Sequence, residues 1–221
     1  MTCNICPNYC KSDIDTICKQ NPQYDDENVI DAASVAIDPI EKKPLYHYLP
    51  GTKTLSIGTV GCNLNCMNCQ NHTIARPENA LIVPTKSYTP EQIVQKAIDN
   101  DIPSISWTYN EPTIHPKWII NTSHLAKEYD IKTILVTNGY TSQETLDNLL
   151  EYVDAVNVDI KSLDDAFYKN VCSGRLEPVL NSVRFYVKNN IHTEITNLLI
   201  PGYNDNIVDM KKIINFVVKL S

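Results

Sequence analysis

The stretch TLSIGTVGCNLNCMNCQN, residues 54–71, joins a run typical of a β-strand to a loop that carries three cysteines. The strand candidate spans residues 54–60, and Cys62, Cys66 and Cys69 follow it. In β/α barrels, the loops that follow the strands gather at one edge and bind ligands. This stretch therefore predicts a β/α fold in which the first loop is a candidate ligand site.

Beyond this stretch, short β-rich runs alternate with longer helical patterns, as is typical of βαβ units around a parallel sheet. The further strand candidates are residues 104–109, 132–138, 154–160 and 192–200, and the helical patterns are residues 89–100, 115–130, 141–153, 177–190 and 206–220. A start signal supports the first helix, because Thr89 can cap its N-terminus and Pro90 suits its first turn. We therefore expect five βα repeats.

Polar side chains recur on one face of the predicted strands. Side chains alternate between the faces of a strand, so Asn157, Asp159 and Lys161 share one face. Ser104 and Ser106 line up in the same way on an earlier strand. Because helices must cover the other face, we expect the polar face to line a wide, partly open barrel that holds a polar cofactor. The alternative is a sheet with one solvated face.

Composition excludes several classes of function. The 221 residues suffice for one main domain, and no apolar run reaches the roughly 18 residues of a membrane span. The net charge is −7 and the lysines are scattered, which argues against nucleic acid as a partner. The N-terminus lacks the pattern of a secretory signal, so we expect a cytoplasmic protein. Eight cysteines in such a chain indicate metal or redox chemistry rather than disulfides.

The spacing Cys62-x3-Cys66-x2-Cys69 lets one compact loop wrap around a metal cluster. Three thiolates on a [4Fe-4S] cluster leave one iron without a protein ligand. An open coordination position is typical of a metal centre that performs chemistry rather than structural support. The alternative is a structural zinc site that adds a fourth ligand, for example His72.

This cysteine triplet, placed after the first strand of a β/α chain, resembles that of the radical S-adenosylmethionine (SAM) enzymes. The resemblance implies a [4Fe-4S] cluster whose fourth iron binds SAM. It further implies an oxidoreductase that cleaves SAM reductively to a 5'-deoxyadenosyl radical, which takes a hydrogen from a substrate. An electron donor such as flavodoxin or ferredoxin, a protein substrate, and no nucleic-acid or membrane partner fit this class.

Three downstream motifs narrow the resemblance. The motifs YNEP (109–112), TNGY (137–140) and VDIK (158–161) resemble the pyruvate formate-lyase activating enzyme branch, in particular the AmmeMemoRadiSam system radical SAM enzymes. This branch implies an open, TIM-like partial (β/α)6 barrel. The chain stops after its fifth predicted helix, so we expect the last strand to be missing. The expected domains are a Cys-rich N-terminal extension, residues 1–50, with one short helical pattern at residues 29–37, and the barrel, residues 51–221.

The resemblance also implies a set of cofactor-binding residues at the ends of four strands. They are Asn110, Glu111, Thr137, Asn138, Asp159, Lys161, Glu194 and Asn197. In this branch the motif matched by Asn110 and Glu111 is often Gly-Gly-Glu-Pro and contacts the methionine amino group, but tyrosine and asparagine replace both glycines here. The motif around Thr137 and Asn138 matches positions beside the methionine or ribose. Asp159 and Lys161 match an Asp-x-Lys pair that lies at the cofactor in the activating enzymes.

Each of these assignments has an alternative. Glu111 can be a helix-start acid before Pro112, and the TNGY motif can be an ordinary turn. Asp159 and Lys161 can form a structural ion pair, because charges that face a barrel interior need a partner.

Cys3, Cys6, Cys10 and Cys18 form a second array, in a segment too poor in apolar residues to fold alone. Four thiolates suit zinc or a closed iron-sulfur cluster, and such a metal would supply the missing stabilisation. The alternative is free, reduced thiols. The lone Cys172 is expected to be an ordinary core or surface residue.

Three functions remain open at this point. The first is radical SAM chemistry that activates a glycyl radical enzyme. The second directs the same chemistry at a different protein or a small molecule. The third is a non-catalytic iron-sulfur or zinc-binding module.

Overall fold

A six-stranded, mostly parallel sheet forms the centre of the fold, in a computed structural model that describes residues 2–11, 16–18, 28–76 and 83–220. The strands are β1 (Ile30–Ala32), β2 (Ser34–Pro39), β3 (Lys53–Gly58), β4 (Lys86–Tyr88), β5 (Ser104–Trp107), β6 (Lys132–Thr137), β7 (Ala155–Asp159) and β8 (His192–Thr196). The sheet order is β2-β3-β5-β6-β7-β8, and only β2 runs antiparallel to its neighbour. The fold is α/β, consistent with an open TIM-like barrel.

Helices follow the parallel strands. They are α1 (His72–Ala75), α2 (Pro90–Asp99), α3 (Pro116–Glu128), α4 (Gln143–Leu149), α5 (Asp165–Phe167), α6 (Leu176–Lys188) and α7 (Ile207–Val218), and a π-helical turn, Tyr168–Cys172, extends α5. Thr89 caps α2 in a capping box with Gln92, as the sequence predicts. Within the described ranges, no helix is long and apolar enough to cross a bilayer.

The five predicted parallel strands are confirmed, and each ends one to four residues earlier than expected. The helix expected at residues 29–37 is wrong, because this stretch forms β1 and β2. β2 pairs with β3 along its whole length, from Ser34 opposite Gly58 to Pro39 opposite Lys53. Sheet pairing here outweighs the helical tendency of a short alanine-containing run. The domain boundary expected at residue 50 therefore falls between two paired strands.

The outer face of the sheet packs against the helices and forms the main core. Trp107 of β5 meets Trp118 of α3 edge to face, with ring centroids 4.7 Å apart. Both indoles are buried, as are Ile57 and Leu135 on the strands beside β5. Aromatic pairs of this geometry add to the stabilisation from buried apolar area. This packing fixes where each strand ends, and so places the loops that follow.

Residues 40–48, which we call the inner segment, cover the lower half of the inner face, meaning the half toward the amino-terminal ends of the parallel strands. Ile40 and Leu45 of this segment pack with Ile134 and Ala155 from the inner face. The Asn157 amide donates to the backbone carbonyl of Pro44 at 2.9 Å. The polar inner face that the sequence predicts is therefore present, but part of it binds this segment of the chain.

Candidate functional site

The cysteine loop, residues 61–71, lies at the carboxyl ends of the parallel strands and joins β3 to α1. Its backbone is held by the turn that ends at Cys172. The Asn65 amide donates to the Cys172 carbonyl at 3.0 Å, and the Met67 amide donates to the Val171 carbonyl at 2.8 Å. These hydrogen bonds fix the middle of the loop, which carries the candidate ligands.

Positive charge surrounds the thiols of this loop. The Arg76 guanidinium donates to the Cys66 carbonyl at 2.6 Å. A hydrogen bond from the Cys172 thiol lowers the pKa of Cys66 to about 7, and the charges of Lys161 and Arg76 act in the same direction. Burial raises the pKa of the Cys69 thiol, although Lys161 and Arg76 oppose this rise. These charges favour the thiolate, the form that binds iron, at Cys66 and Cys69, whereas burial and the charge of Glu111 raise the pKa of the Cys62 thiol.

Cys172 is the residue that sequence reasoning missed at this site. It is fully buried, as expected of a core cysteine, yet its thiol hydrogen-bonds the Cys66 thiol. The sequence carries no signal for this contact, because the two cysteines lie more than 100 residues apart in the chain.

Cys62 receives two donors from neighbouring groups. The Leu64 amide points at its sulfur from 3.5 Å, and the Asn138 side-chain amide does so from 3.6 Å. The same Asn138 amide donates to the Asn63 side chain at 2.9 Å, and its carbonyl oxygen accepts from the Tyr140 backbone at 2.7 Å. Asn138 is thus fixed with a donor directed at a candidate iron ligand.

Asp159 and Lys161 lie together at the end of β7. The Lys161 ammonium donates to Asp159 Oδ2 at 2.6 Å, so the ion pair considered from the sequence is present. Burial lowers the pKa of Lys161, but the charges of Asp159 and Cys66 raise it above its usual value. In the part of the chain that the structure describes, Asp159 Oδ1 is buried and accepts no hydrogen bond. A buried acceptor without a partner is costly unless a ligand satisfies it.

The Asn110 side chain holds the backbone that leads from β3 into the cysteine loop. Its side-chain carbonyl accepts from the Thr59 amide at 3.0 Å, and its amide donates to the Gly61 carbonyl at 2.9 Å. Tyr109 before it has a φ of +74°, in the region that glycine favours, where the related motif has glycine. The Tyr109 hydroxyl donates to Asp38 at 2.5 Å, which helps to hold this conformation.

Glu111 is completely enclosed. Its carboxylate accepts from the Thr113 backbone at 3.0 Å, the Thr137 hydroxyl at 2.8 Å and the Asn138 backbone at 2.8 Å. Burial raises the pKa of Glu111, and these donors oppose that rise. The helix-start role considered for Glu111 is therefore present, since the bond to Thr113 caps a short 3-10 helix. Thr137 and Glu111 together tie the end of β6 to that of β5.

Glu194 and Asn197 bind other parts of the chain. The Glu194 carboxylate accepts from the Tyr46 and His47 amides, each at 2.9 Å, and so anchors the inner segment. The Asn197 amide donates to the Ile160 carbonyl at 2.7 Å. Asn204, which the sequence did not single out, donates to the Lys161 carbonyl at 2.6 Å. The cofactor-binding roles assigned to Glu194 and Asn197 stay predictions.

The N-terminal cysteines form a compact turn on the same edge of the barrel. The Cys3 amide donates to the Cys10 carbonyl at 2.9 Å, and the Tyr9 amide donates to the Cys6 carbonyl at 3.1 Å. Burial raises the pKa of Cys6 to about 12, and the nearby Cys18, Cys3 and Cys10 thiols add to this rise. None of the eight cysteines, all of which lie in the described ranges, forms a disulfide.

The sequence profile described as the Radical SAM superfamily matches residues 56–217. The chain belongs to the radical SAM superfamily. The matched range begins in β3, includes the cysteine loop and ends in α7. The narrower resemblance to AmmeMemoRadiSam system enzymes stays a prediction.

Curated relatives of this radical SAM chain include the uncharacterized protein MJ0808 of Methanocaldococcus jannaschii. It is 42% identical over 229 residues, covering 97% of this chain and 65% of the relative. The pyruvate formate-lyase-activating enzyme of Clostridium pasteurianum is 25% identical over 175 residues, covering 76% of this chain and 70% of the relative. The chain therefore spans about two thirds of the length of these relatives.

A solved radical SAM structure supports the fold assignment. SuiB of Streptococcus suis, bound to the precursor peptide SuiA, superposes with a TM-score of 0.55 at 18% identity. The match covers 73% of this chain and 35% of SuiB. At this identity the likeness concerns the fold alone.

The donor set of the cysteine loop fits a [4Fe-4S] cluster, which proteins hold by cysteine thiolates. Within residues 2–11, 16–18, 28–76 and 83–220, no three His, Cys, Asp or Glu side chains converge closely enough to hold one metal ion. A cluster binds each thiolate through a separate iron, so its ligands lie further apart than those of zinc. The buried Asp159 oxygen, which has no hydrogen-bond partner among the described residues, fits a polar cofactor beside Cys66. The zinc alternative with His72 stays a prediction.

Proposed function

We propose that the protein cleaves SAM reductively at a [4Fe-4S] cluster held by Cys62, Cys66 and Cys69. When bound, this cluster supplies the electron that splits the sulfonium of SAM and starts hydrogen abstraction from a substrate. The observation that carries the proposal is the buried Oδ1 of Asp159, which has no hydrogen-bond partner in the described ranges and lies beside a loop of three thiols. It provides an acceptor for an amine or hydroxyl of the cofactor where an open iron is expected.

The protein's own groups would prepare this site in three ways. Lys161 and Arg76 stabilise thiolates on the loop, as their effects on Cys66 indicate. Asn138 and the Leu64 amide donate toward the Cys62 sulfur, and donors to a cluster's sulfurs influence its reduction potential. Asp159 would orient the cofactor, and the ion pair with Lys161 would offset part of the negative charge of the Asp159 carboxylate.

A protein or peptide is the substrate class that we propose. Relatives named as activating enzymes for pyruvate formate-lyase, choline trimethylamine-lyase and 4-hydroxyphenylacetate decarboxylase support it. The finer proposal is hydrogen abstraction from a backbone glycine of a partner enzyme. An external one-electron donor, such as flavodoxin or ferredoxin, would reduce the cluster. Free cysteines throughout agree with a reducing, cytoplasmic location, which we also propose.

A small-molecule substrate is the second candidate. The 7-carboxy-7-deazaguanine synthase of Methanothermobacter thermautotrophicus favours it, with 30% identity over 154 residues. Incubating the reduced protein with candidate glycyl radical enzymes separates the candidates. Activation predicts a protein-based radical signal, whereas small-molecule chemistry predicts that radical cleavage of SAM leaves these proteins unmodified.

The N-terminal array is a proposed second metal site, held by Cys3, Cys6, Cys10 and Cys18. The support for this site is that Cys3, Cys10 and Cys18 lie close enough to Cys6 to raise the pKa of its thiol. These thiols do not converge on a point in the described ranges, so a metal bound here would have to draw its ligands together.

The test of the proposed reaction is SAM cleavage by anaerobically reconstituted protein. After reduction with dithionite, the protein should release 5'-deoxyadenosine and methionine, and Cys66→Ser should abolish both products. Intact SAM after reduction would contradict the proposal and favour the non-catalytic module.

Cys172→Ala is the matched control for Cys66→Ser. Both changes remove one thiol of the same contact, but only Cys66 is a proposed iron ligand. The Cys172 variant should keep cluster iron and SAM cleavage. Loss of cluster iron in this variant would show that Cys172 is a fourth ligand.

A further inference from the structure

Hydrogen bonds to the backbone carbonyls of residues 4, 5 and 7 attach the N-terminal turn to the edge of the barrel that carries the cysteine loop. The Ser142 amide donates to the Ile5 carbonyl at 3.2 Å, and the Ser142 hydroxyl donates to the Asn4 carbonyl. The Arg175 guanidinium donates to the Pro7 carbonyl at 3.3 Å. A short segment with little core of its own is thus attached at several points to the loops that follow β6 and precede α6.

One further contact reaches the cysteine loop itself. The Asn8 side-chain amide donates to the backbone carbonyl of Asn63 at 2.8 Å. Asn63 is fully buried and directly follows Cys62 in the chain. Asn8 therefore holds the backbone next to a proposed iron ligand, from within the segment that contains Cys6 and Cys10.

The Asn63 side chain carries this contact onward to the Cys62 sulfur. Its amide donates to the Tyr140 carbonyl at 2.7 Å, and its carbonyl oxygen accepts from Asn138 at 2.9 Å. Asn138 directs the same amide at the Cys62 sulfur. Because Asn63 takes part in both contacts, movement of its backbone would shift the donor that Cys62 receives.

We propose that the N-terminal segment is a metal-ordered brace for the cysteine loop. A metal bound by the thiolates of Cys3, Cys6, Cys10 and Cys18 orders the turn and places Asn8 on Asn63. This contact stabilises the loop that holds the cluster. Zinc and an iron-sulfur cluster share the tetrathiolate chemistry and would serve equally. The inference rests on the proposed cluster at Cys62, Cys66 and Cys69, but does not require that SAM be cleaved.

The proposal distinguishes two asparagines of the same segment. Asn8 makes the side-chain contact with the loop, whereas the exposed Asn4 contributes its backbone carbonyl to Ser142. Asn4→Ala is therefore a matched control for Asn8→Ala. Cys6→Ser removes a proposed ligand of the N-terminal metal and keeps the Asn8 side chain that contacts the loop.

The first experiment is metal analysis of the full chain with Cys62, Cys66 and Cys69 all replaced by alanine. Bound zinc, or iron with sulfide, is expected and identifies which metal the N-terminal thiolates hold. A metal-free protein would overturn the proposal.

The second experiment measures how fast reconstituted holoprotein loses its iron-sulfur absorbance in the presence of an iron chelator. The signal of the triple cysteine variant is subtracted, so that only the loop cluster is followed. Asn8→Ala should lose this cluster about fivefold faster, as expected for one part-buried hydrogen bond, and Cys6→Ser at least as fast. Asn4→Ala should match the unsubstituted protein.

Equal rates for Asn8→Ala and the unsubstituted protein would overturn the brace, as would equal acceleration by Asn4→Ala. Circular dichroism of each variant confirms that the barrel is folded. Cluster absorbance does not depend on SAM turnover. A protein that keeps its cluster but does not cleave SAM would therefore refute the proposed reaction and leave the brace testable.

Discussion

The polar side chains on the inner face of this barrel form two layers. Both layers follow the same alternating polar pattern in the sequence, but their polar groups differ in the contacts that they make. The lower layer includes Asn157 and Glu194, whose polar groups bind the backbone of the inner segment. The upper layer includes Asp159, whose buried Oδ1 lies beside Cys66 and accepts no hydrogen bond from any residue that the structure describes. Polar residues on an inner face thus serve the fold in one layer and remain available to a ligand in the next.

The largest expected effect is a difference in SAM affinity between variants of Asp159 and of Asn157. Asp159→Asn should weaken SAM binding by roughly tenfold to a hundredfold, because it removes a charged acceptor from the proposed site. Anaerobic calorimetry or equilibrium dialysis on the reconstituted protein measures this affinity. Asn157→Leu is the control in the lower layer and should bind SAM as the unsubstituted protein does. Equal weakening in both variants would remove the distinction between the layers.

The lower layer should show its role in stability. Glu194→Leu leaves the Tyr46 and His47 amides without their acceptor and should lower the free energy of unfolding by about 1–3 kcal/mol. Glu194→Gln keeps one acceptor oxygen, so we expect an intermediate loss. Urea denaturation of the metal-free protein measures both. Unchanged stability in the leucine variant would mean that the inner segment does not depend on this contact.

Acid should affect the lower layer through two carboxylates. Burial raises the pKa of Asp38, but hydrogen bonds from Lys42, Tyr109 and Lys43 bring it well below its usual 3.8. Burial likewise raises the pKa of Glu194, and its donors lower it below the usual 4.5. Because the folded state binds these protons more weakly, their stabilisation is complete above about pH 4.5 and is lost as pH falls through the folded-state pKa values.

Denaturation of the metal-free protein between about pH 5 and pH 3 tests this expectation. The free energy of unfolding should fall with pH, and combining Asp38→Asn with Glu194→Gln should reduce the slope. The same slope in the double variant would show that other groups dominate the acid response.

The smallest expected effect is a shift in the cluster's reduction potential, which we compare between variants of Asn138 in the upper layer and Asn157 in the lower layer. Asn138→Leu removes the donor directed at Cys62 and should make the cluster's reduction potential more negative, because donors to the sulfurs stabilise the reduced cluster. Asn157→Leu removes a contact with Pro44 and should leave the potential unchanged. Redox titration followed by electron paramagnetic resonance (EPR) measures both. Equal shifts would indicate a general loosening of the fold rather than a direct effect.

The sequence predicts those features that depend on local spacing. The cysteine triplet and the strand that precedes it are read directly, because the loop is continuous and strand side chains alternate regularly. Asp159 and Lys161 are predicted for the same reason, since they end a strand. The position of Asn138 at a strand end is equally local, although its contact with Cys62 is not.

Features that depend on distant packing could not be predicted. The inner segment reaches Glu194 across almost 150 residues, so the sequence pattern around Glu194 is the same as that of a ligand site. Cys172 meets Cys66 only because the π-helical turn packs against the cysteine loop. β2 was missed because its pairing with β3, and not its own composition, makes it a strand.

The most direct test of the central claim is pulsed electron-nuclear double resonance on the reduced protein with SAM labelled at its amino nitrogen and carboxylate oxygen. Coupling of both labels to the cluster spin is predicted, because one iron has no protein ligand and is free to bind the amino acid. SAM that binds without either coupling, or a cluster in which Cys172 occupies the fourth iron, would contradict the account.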